Sequence, residues 1–369
     1  MRIELQTEVK HTTRAIQLAG MFDLKLDDAS RVAWDVELPL NAQPWNVGLI
    51  VGPSGSGKTQ IASRLFAHAP EFTWSPDKAL GDEFPPEMNC WAVSEILSSV
   101  GLSSVPSWLR PYHVLSNGEQ FRARMARIIA SATPEDAPVF VDEFTSVVDR
   151  DVARAVSVTV TKTVRKRNLK VVFCSCHFDV TDWLQPDWIL QLPRCEFQWR
   201  GLQRRPVIQL EIRRVGREAW QLFRQHHYLS HSLNPSSRCF LATWNGRPVA
   251  FSSWQALPAK TPIWREHRTV ALPDFQGLGI GNALSNFVAS LVIATGRRAR
   301  STTAHPGMIY SRSRSPFWLR MTNYRESSPH SMSDLAAAQG ERRVVSFEYC
   351  GPGADLSVAQ ELWRNDYAV

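Results

Sequence analysis

Gly52-Pro53-Ser54-Gly55-Ser56-Gly57-Lys58-Thr59 fits the pattern G-x-x-x-x-G-K-[ST]. A short apolar run, residues 45–51, precedes it and reads as a buried strand, and residues 60–69 read as a helix. In that setting the glycines let backbone N–H groups turn inward around a phosphate chain. The helix that follows points its positive end at the anion. Lys58 is expected to reach the outer phosphates, and Thr59 to hold Mg2+ through its hydroxyl.

A second apolar strand, Pro138-Val139-Phe140-Val141, ends in Asp142-Glu143. Asp142 is the expected second Mg2+ ligand beside Thr59, and Glu143 is expected to polarise an attacking water. Between the two strands lies Leu115-Ser116-Asn117-Gly118-Glu119-Gln120, followed by a basic segment, residues 121–127. With these motifs in this order the chain resembles the ABC-type ATPases over about residues 1–195. Their signature loop LSGGQ is met with departures at Asn117 and Glu119. Ser146-Val147-Val148-Asp149 stands at the position of the D-loop, and His177 ends a strand at the position of the switch histidine.

The resemblance implies an α/β head that binds ATP and Mg2+. The implied nucleotide contacts are Phe22 for the adenine, then Gly52, Ser54, Gly55, Gly57, Lys58, Thr59, Ser116, Gly118 and Asp149. Glu143 and His177 are the implied catalytic groups. In this family the signature loop of one subunit faces the nucleotide held by another, so a homodimer is implied. No glutamine occurs between Gln60 and Leu115 to serve as a Q-loop, and Glu83 and Glu87 are the candidate substitutes.

A boundary falls at residues 199–205, separating an N-terminal domain, 1–198, from a C-terminal domain, 206–369. The pattern predicts a strand over 206–212, a helix over 216–225 and a hairpin turned on Asn245-Gly246. It then predicts strands over 268–273, 300–304 and 343–349, with a helix over 282–295. The loop between, Gln276-Gly277-Leu278-Gly279-Ile280-Gly281, meets [QR]-x-x-G-x-[GA] through Gln276, Gly279 and Gly281. This order resembles the GNAT acetyltransferases, over roughly residues 206–350, and implies a mixed α/β fold.

The resemblance further implies that acetyl-CoA, or another acyl-CoA, is held by Leu272 and by Gln276, Gly277, Leu278, Gly279, Ile280 and Gly281. In most members of this family an amine attacks the thioester directly. The protein supplies a base for the amine, a donor to the carbonyl and an acid for the leaving thiolate. Tyr310 stands where members often carry the acid. Glu266 and His267 stand where a base is often found. His227 belongs to a cluster with His226 and His231, open to three readings: a partly exposed cluster, an acceptor site or a metal site.

The chain has 369 residues, of which 44% are hydrophobic and 21% charged, enough to bury two cores. No apolar run reaches the ~18 residues of a membrane span, and the first residues carry no secretory signal core. A cytoplasmic protein without a membrane partner is expected. The six cysteines are dispersed and read as reduced thiols.

Residues 201–369 carry 21 Lys and Arg against 11 Asp and Glu, a balance of +10, and all but Lys260 of the basic residues are Arg. A polyanionic partner, a nucleic acid, fits this balance, as does an anionic coenzyme on an Arg-rich background. Acyl transfer from CoA to an amine runs downhill without ATP. Joining it to an ATPase implies work on a bulky acceptor, and the leading expectation is acylation of a base amine in RNA or DNA. The alternatives are a protein or small amine as acceptor, or a GNAT fold that only binds.

Overall fold

The computed structural model describes residues 1–203, 205–228, 231–257, 262–321, 325–326 and 343–364. Lys260, and Leu229 and Ser230 of the histidine stretch, lie outside the described residues.

Strands β1 (Arg2–Glu8) and β2 (Ala29–Asp35) form an antiparallel pair linked through α1 (Thr13–Met21). Next come β3 (Val47–Val51), α2 (Lys58–Leu65) and β4 (Ala67–His68). The chain continues through α3 (Cys90–Ser99), α4 (Val105–Trp108) and α5 (Asn117–Ser131). It then runs through β5 (Val139–Val141), α6 (Arg150–Lys166), β6 (Val171–Ser175), α7 (Val180–Leu184), β7 (Trp188–Gln191) and β8 (Glu196–Trp199).

The sheet order is β4-β5-β6-β3-β7-β8, and every pairing but β7 with β8 is parallel. Apolar runs such as Val47–Val51 follow from burial on both faces of a parallel sheet. On one face, Leu49 and Val51 share a core with Met125, Ile129, Val156 and Val160. On the other, Ile50 packs with Ile61, Trp34 and Trp188. The helix expected over 60–69 stops at Leu65, because Ala67 and His68 pair with Val139 and Phe140 at the sheet edge.

The second half contains β9 (Glu211–Val215), β10 (Arg238–Trp244), β11 (Arg247–Leu257), β12 (Ile263–Ala271), α8 (Ile280–Ala294) and β13 (Arg298–Thr303). It continues with α9 (Pro306–Ser313), β14 (Trp318–Arg320), β15 (Arg325–Glu326) and β16 (Arg343–Tyr349), followed by the helical turns Leu356–Ala359 and Gln360–Arg364. The sheet order is β14-β16-β13-β12-β11-β10-β9, antiparallel except for β12 with β13. The apolar side of α8, including Leu284, Val288 and Leu291, covers this sheet.

Two local expectations shift. The first strand is Glu211–Val215 rather than 206–212. In place of a helix over 216–225 there are two 3-10 turns, Arg217–Leu222 and Arg224–His226. Trp220 and Phe223 are both buried in one small cluster, and residues three apart share a face in 3-10 geometry.

The halves meet directly. Helix α3 lies against α9, α6 against the turn Pro273–Phe275, and α4 against the turn Arg224–His226. No helix among the described residues is long and apolar enough to cross a membrane.

Candidate functional site

The P-loop leaves the end of β3, with β6 beside it and β5 beyond: Val51 is level with Ser175, and Val141 with Phe173. The motif residues at these strand ends therefore share one edge of the sheet. Gly57 (φ 92°) caps α2 in a left-handed conformation, and a Cβ there would lie 2.2 Å from Trp34 Cζ2. Trp34 also donates Nε1–H to the Ser56 carbonyl at 3.2 Å, bracing the loop from behind. This tryptophan, 18 residues before the loop on another sheet, left no motif in the sequence.

Lys58 Nζ donates to the carbonyls of Gly52 (2.9 Å) and Pro53 (2.8 Å). Thr59 donates its hydroxyl to Asp142 Oδ2 at 2.7 Å. A hydroxyl and a carboxylate held together are hard oxygen donors of the kind Mg2+ takes, so these two residues fit that ion. Glu143 follows, exposed and at φ 48°, a left-handed backbone that a non-glycine residue holds only where its surroundings enforce it. His177 lies just past β6, its N–H bonded to Ser175 Oγ at 3.1 Å. Phe22 caps the end of α1 and is 67% exposed.

Ser116 caps α5, and Glu119 completes a capping box with it, so the departure from LSGGQ at this position has a local cause. Glu119 also accepts from Ser107 Oγ at 2.6 Å. Burial pushes its carboxyl up, but the Ser107 and Ser116 hydrogen bonds and the Arg122 charge hold it below the usual carboxylate range. Gly118 rests on α6, where a Cβ would lie 3.1 Å from Val152 Cγ1. Asp149 caps α6 by accepting from the N–H groups of Asp151 and Val152. Of the two Q-loop substitutes, Glu83 is buried and committed to Ser75 N–H (2.8 Å) and Arg127 (3.4 Å), while Glu87 is exposed.

A cavity of about 490 Å³ lies between the two halves. The second half contributes Gly277, Gly279 and Gly281 with the first turn of α8. Gly277 (φ 83°) and Gly279 (φ 84°) adopt left-handed backbones, and Gly279 caps the helix. Leu272 and Leu278 pack against the core, and Ile280 is buried within it, so at these positions the backbone is what can face a ligand. The Gln276 side chain is engaged: Oε1 accepts from Ser103 N–H at 2.7 Å, and Nε2 donates to Ala271 O at 3.0 Å. Arg122 of α5, almost wholly buried, donates to the Asp274 carbonyl at 3.3 Å. Burial pulls its guanidinium down to about 10, against the charges of Asp274, Glu119 and Asp149.

Strands β12 and β13 pair over Ile263–Arg265 and Arg298–Arg300 and then part. A bulge at His267 marks the same level of β12, since Ser253 is level with Arg268 but Trp254 with Glu266. The expected base Glu266 is buried and accepts from Arg312 Nη2 (2.6 Å), Ser301 Oγ (2.5 Å) and Thr269 Oγ1 (2.5 Å). Burial opposes its charge, but the Arg312 charge and these hydrogen bonds hold its carboxyl down. It is an anchor for β12, β13 and α9 rather than a base facing the cavity. His267 lies outside the cavity lining, and burial, then Arg268 and Arg265, push its imidazolium down to about 4.

His227 does line the cavity, and burial, followed by the Arg268, His267 and His305 charges, pushes it down to about 3. His226 lines it as well, whereas His231 is exposed and offers its backbone carbonyl to Trp220. Among the described residues no three metal-ligating side chains converge. Tyr310 of α9 lines the cavity with its ring 4.4 Å from Lys166 Nζ, and its hydroxyl contacts Arg314.

His305 went unnoticed in the sequence. It caps α9, and its Nε2 bonds the Ser103 carbonyl at 3.0 Å. That bond fixes the neutral tautomer with the proton on Nε2 and leaves Nδ1, buried and without a partner, as a lone pair. The one signal available was a histidine between a strand end and Pro306, a helix-starting proline.

Residues 192–305 match the acetyltransferase (GNAT) family. The match spans β9 to β13 of the second half and the glycine loop before α8. It begins ahead of β8, a strand that pairs with β7 in the first sheet. A comparison with curated proteins gives no match.

For the P-loop half, similar solved structures include a post-hydrolysis dimer of the ATP-binding cassette MJ0796 bound to ADP and Pi. It is 17% identical, covers 48% of this chain and 95% of that one, and has a TM-score of 0.36. Another is cbiO1 from Clostridium perfringens, part of an ABC transporter complex, at 12% identity. It covers 42% of this chain and 77% of that one, with a TM-score of 0.34.

Proposed function

We propose that this protein is an ATP-hydrolysing, acyl-CoA-dependent N-acyltransferase whose acceptor is an amine of a nucleic acid. The observation that carries the reading is the cavity into which the glycine loop of the GNAT half opens, with α6 of the P-loop half as its other wall.

In this reading the glycine loop and the start of α8 hold the donor phosphates, and the thioester lies where β12 and β13 part. The attacking amine gives up its proton to a base on the cavity wall, for which His227 and His305, both in the lining, are the candidates. The amine forms its bond to the thioester carbon as the carbon–sulfur bond breaks, and Tyr310 protonates the thiolate. Burial keeps His227 uncharged at neutral pH, so its ring meets the amine as a neutral hydrogen-bond acceptor, although an imidazolium at about 3 makes it a weak proton acceptor.

In the P-loop half, Lys58 and the loop amides hold the ATP phosphates, Thr59 and Asp142 hold Mg2+, and Glu143 and His177 position water. Two heads meet around ATP with Ser116, Gly118 and Asp149 at the junction, giving a homodimer in the cytoplasm. ATP turnover opens or clamps the acceptor. A base amine inside a duplex is out of reach until the base is unstacked, which gives hydrolysis a purpose. The +10 balance of residues 201–369 supports a polyanionic acceptor.

The test is transfer of label from acetyl-CoA to mixed DNA or tRNA with ATP and Mg2+, beside Lys58→Ala. Label that appears on one nucleic acid and is lost in the variant is the expected result. ATP hydrolysis without label on either would move the acceptor to a protein or a small amine.

A further inference from the structure

Among the described residues, the lysine and arginine side chains that line the cavity all come from the P-loop half. Residues 201–369 hold 20 arginines, yet among the described residues none of them lines the cavity beside the glycine loop. The first position of the loop motif is the uncharged Gln276, whose side chain is turned to Ser103 and Ala271. The positive charge facing the loop is supplied by Lys162 and Lys166 of α6.

Thr159, Lys162, Thr163 and Lys166 fall at i, i+3, i+4 and i+7, which places them on one stripe of that helix. The stripe begins in contact with the loop: a Cβ on Gly277 would lie 2.1 Å from Thr159 Cγ2 and 3.1 Å from the Gly101 Cα. At ~1.5 Å of rise per residue, Lys162 and Lys166 follow about 4–5 Å and 10–11 Å further along α6. Lys162 is half-buried, and burial, with the Arg205 charge, lowers its ammonium, so an anion beside it would restore what it lacks. Lys166 is half-exposed and paired at 3.3 Å with Glu95, itself part of the lining.

We propose that the donor site is built by both halves, with Lys162 and Lys166 of the P-loop half gripping the phosphates of CoA across from the glycine loop. This rests on the reading of the cavity as the acyl-CoA site, and it adds the residues that neutralise the donor. CoA presents a diphosphate and a separate 3′-phosphate. Two ammonium groups about one helical turn apart match two such anionic centres, and an ammonium is a common phosphate partner. Because α6 is capped by Asp149 in the D-loop, the helix that grips the donor is also the one that leaves the nucleotide edge.

The test is calorimetric titration of the full chain with CoA and with pantetheine, which carries no phosphate. The parent protein is compared with Lys162→Ala/Lys166→Ala and with Lys162→Arg/Lys166→Arg, each checked for folding by thermal melt. The expected result is a 10- to 100-fold weakening for CoA in the alanine pair, no change for pantetheine, and substantial recovery in the arginine pair. Glu95→Gln releases Lys166 and is expected to tighten CoA binding a few-fold. Equal CoA affinity in the parent and the folded alanine pair overturns the role of α6 and leaves the donor reading standing. Absence of CoA binding by the parent removes the donor reading, and this proposal with it.

Discussion

The backbone N–H of Ser103 donates to Gln276 Oε1 at 2.7 Å, joining the P-loop half to the first residue of the glycine loop. Gln276→Ala leaves that N–H, and the Ala271 carbonyl on the other side, without their partner. Orphaned buried groups cost about 1–3 kcal/mol; both groups here are partly buried, and denaturant unfolding is expected to report a loss at the lower end, about 1 kcal/mol. Loss below about 0.5 kcal/mol would mean that water replaces the glutamine freely.

Gly277→Ala is expected to be disruptive for two separable reasons. Its φ of 83° disfavours any side chain, and Thr159 Cγ2 occupies the place of the new methyl. Adding Thr159→Ser removes that Cγ2, so the double variant should recover part of the lost thermal stability. The remainder is backbone strain together with the tight approach to the Gly101 Cα. No recovery at all would show that α6 and the loop do not touch in solution.

Glu266→Gln removes one partner of an ion pair in which both side chains are almost fully buried. Breaking such a pair leaves Arg312 uncompensated and costs about 3–5 kcal/mol. If the carboxylate were a base, the variant would instead keep its stability and lose kcat. Parallel melting and rate measurements on the variant decide between the two.

His227 and His267 have imidazoliums pushed down to about 3 and about 4, against an ordinary value near 6.5. Between pH 6.5 and those values the unfolded chain binds protons that the folded chain refuses. Stability is therefore complete above about 6.5 and falls as pH drops toward 4. His227→Gln should flatten this slope in acid titrations followed by urea unfolding. An unchanged slope would place the acid sensitivity elsewhere.

Glu143→Gln keeps the shape of the proposed hydrolytic group and removes its charge. ATP turnover is expected to fall at least 100-fold while ATP still binds. With turnover stopped, sedimentation should record an ATP-dependent dimer. A monomer at saturating ATP would sink the two-headed arrangement.

The features legible in the sequence were local ones. The P-loop, the strand ending at Asp142-Glu143 and the Asn245-Gly246 hairpin each announce themselves within ten residues, because strand alternation and glycine placement are short-range properties. The glycine pattern of the loop Gln276–Gly281 was legible for the same reason. What faces it was not, since Lys162 and Lys166 lie more than a hundred residues away in a different fold. Glu266 read as a base because its partner Arg312, 46 positions on, could not be paired with it from spacing. His305 acquires its tautomer from Ser103, across the same divide. Residues 216–225 read as a helix because apolar spacings of three and four look alike over so short a stretch.

The close fit of Gly101, Thr159 and Gly277 bears on how such a chain is inherited. A genetic crossover between β8 and β9 would fall between the two sheets. It would also set a foreign glycine loop against an α6 shaped for this one. Exchange of halves between relatives would then be penalised at the shared wall rather than in either core, and the two halves should diverge in step.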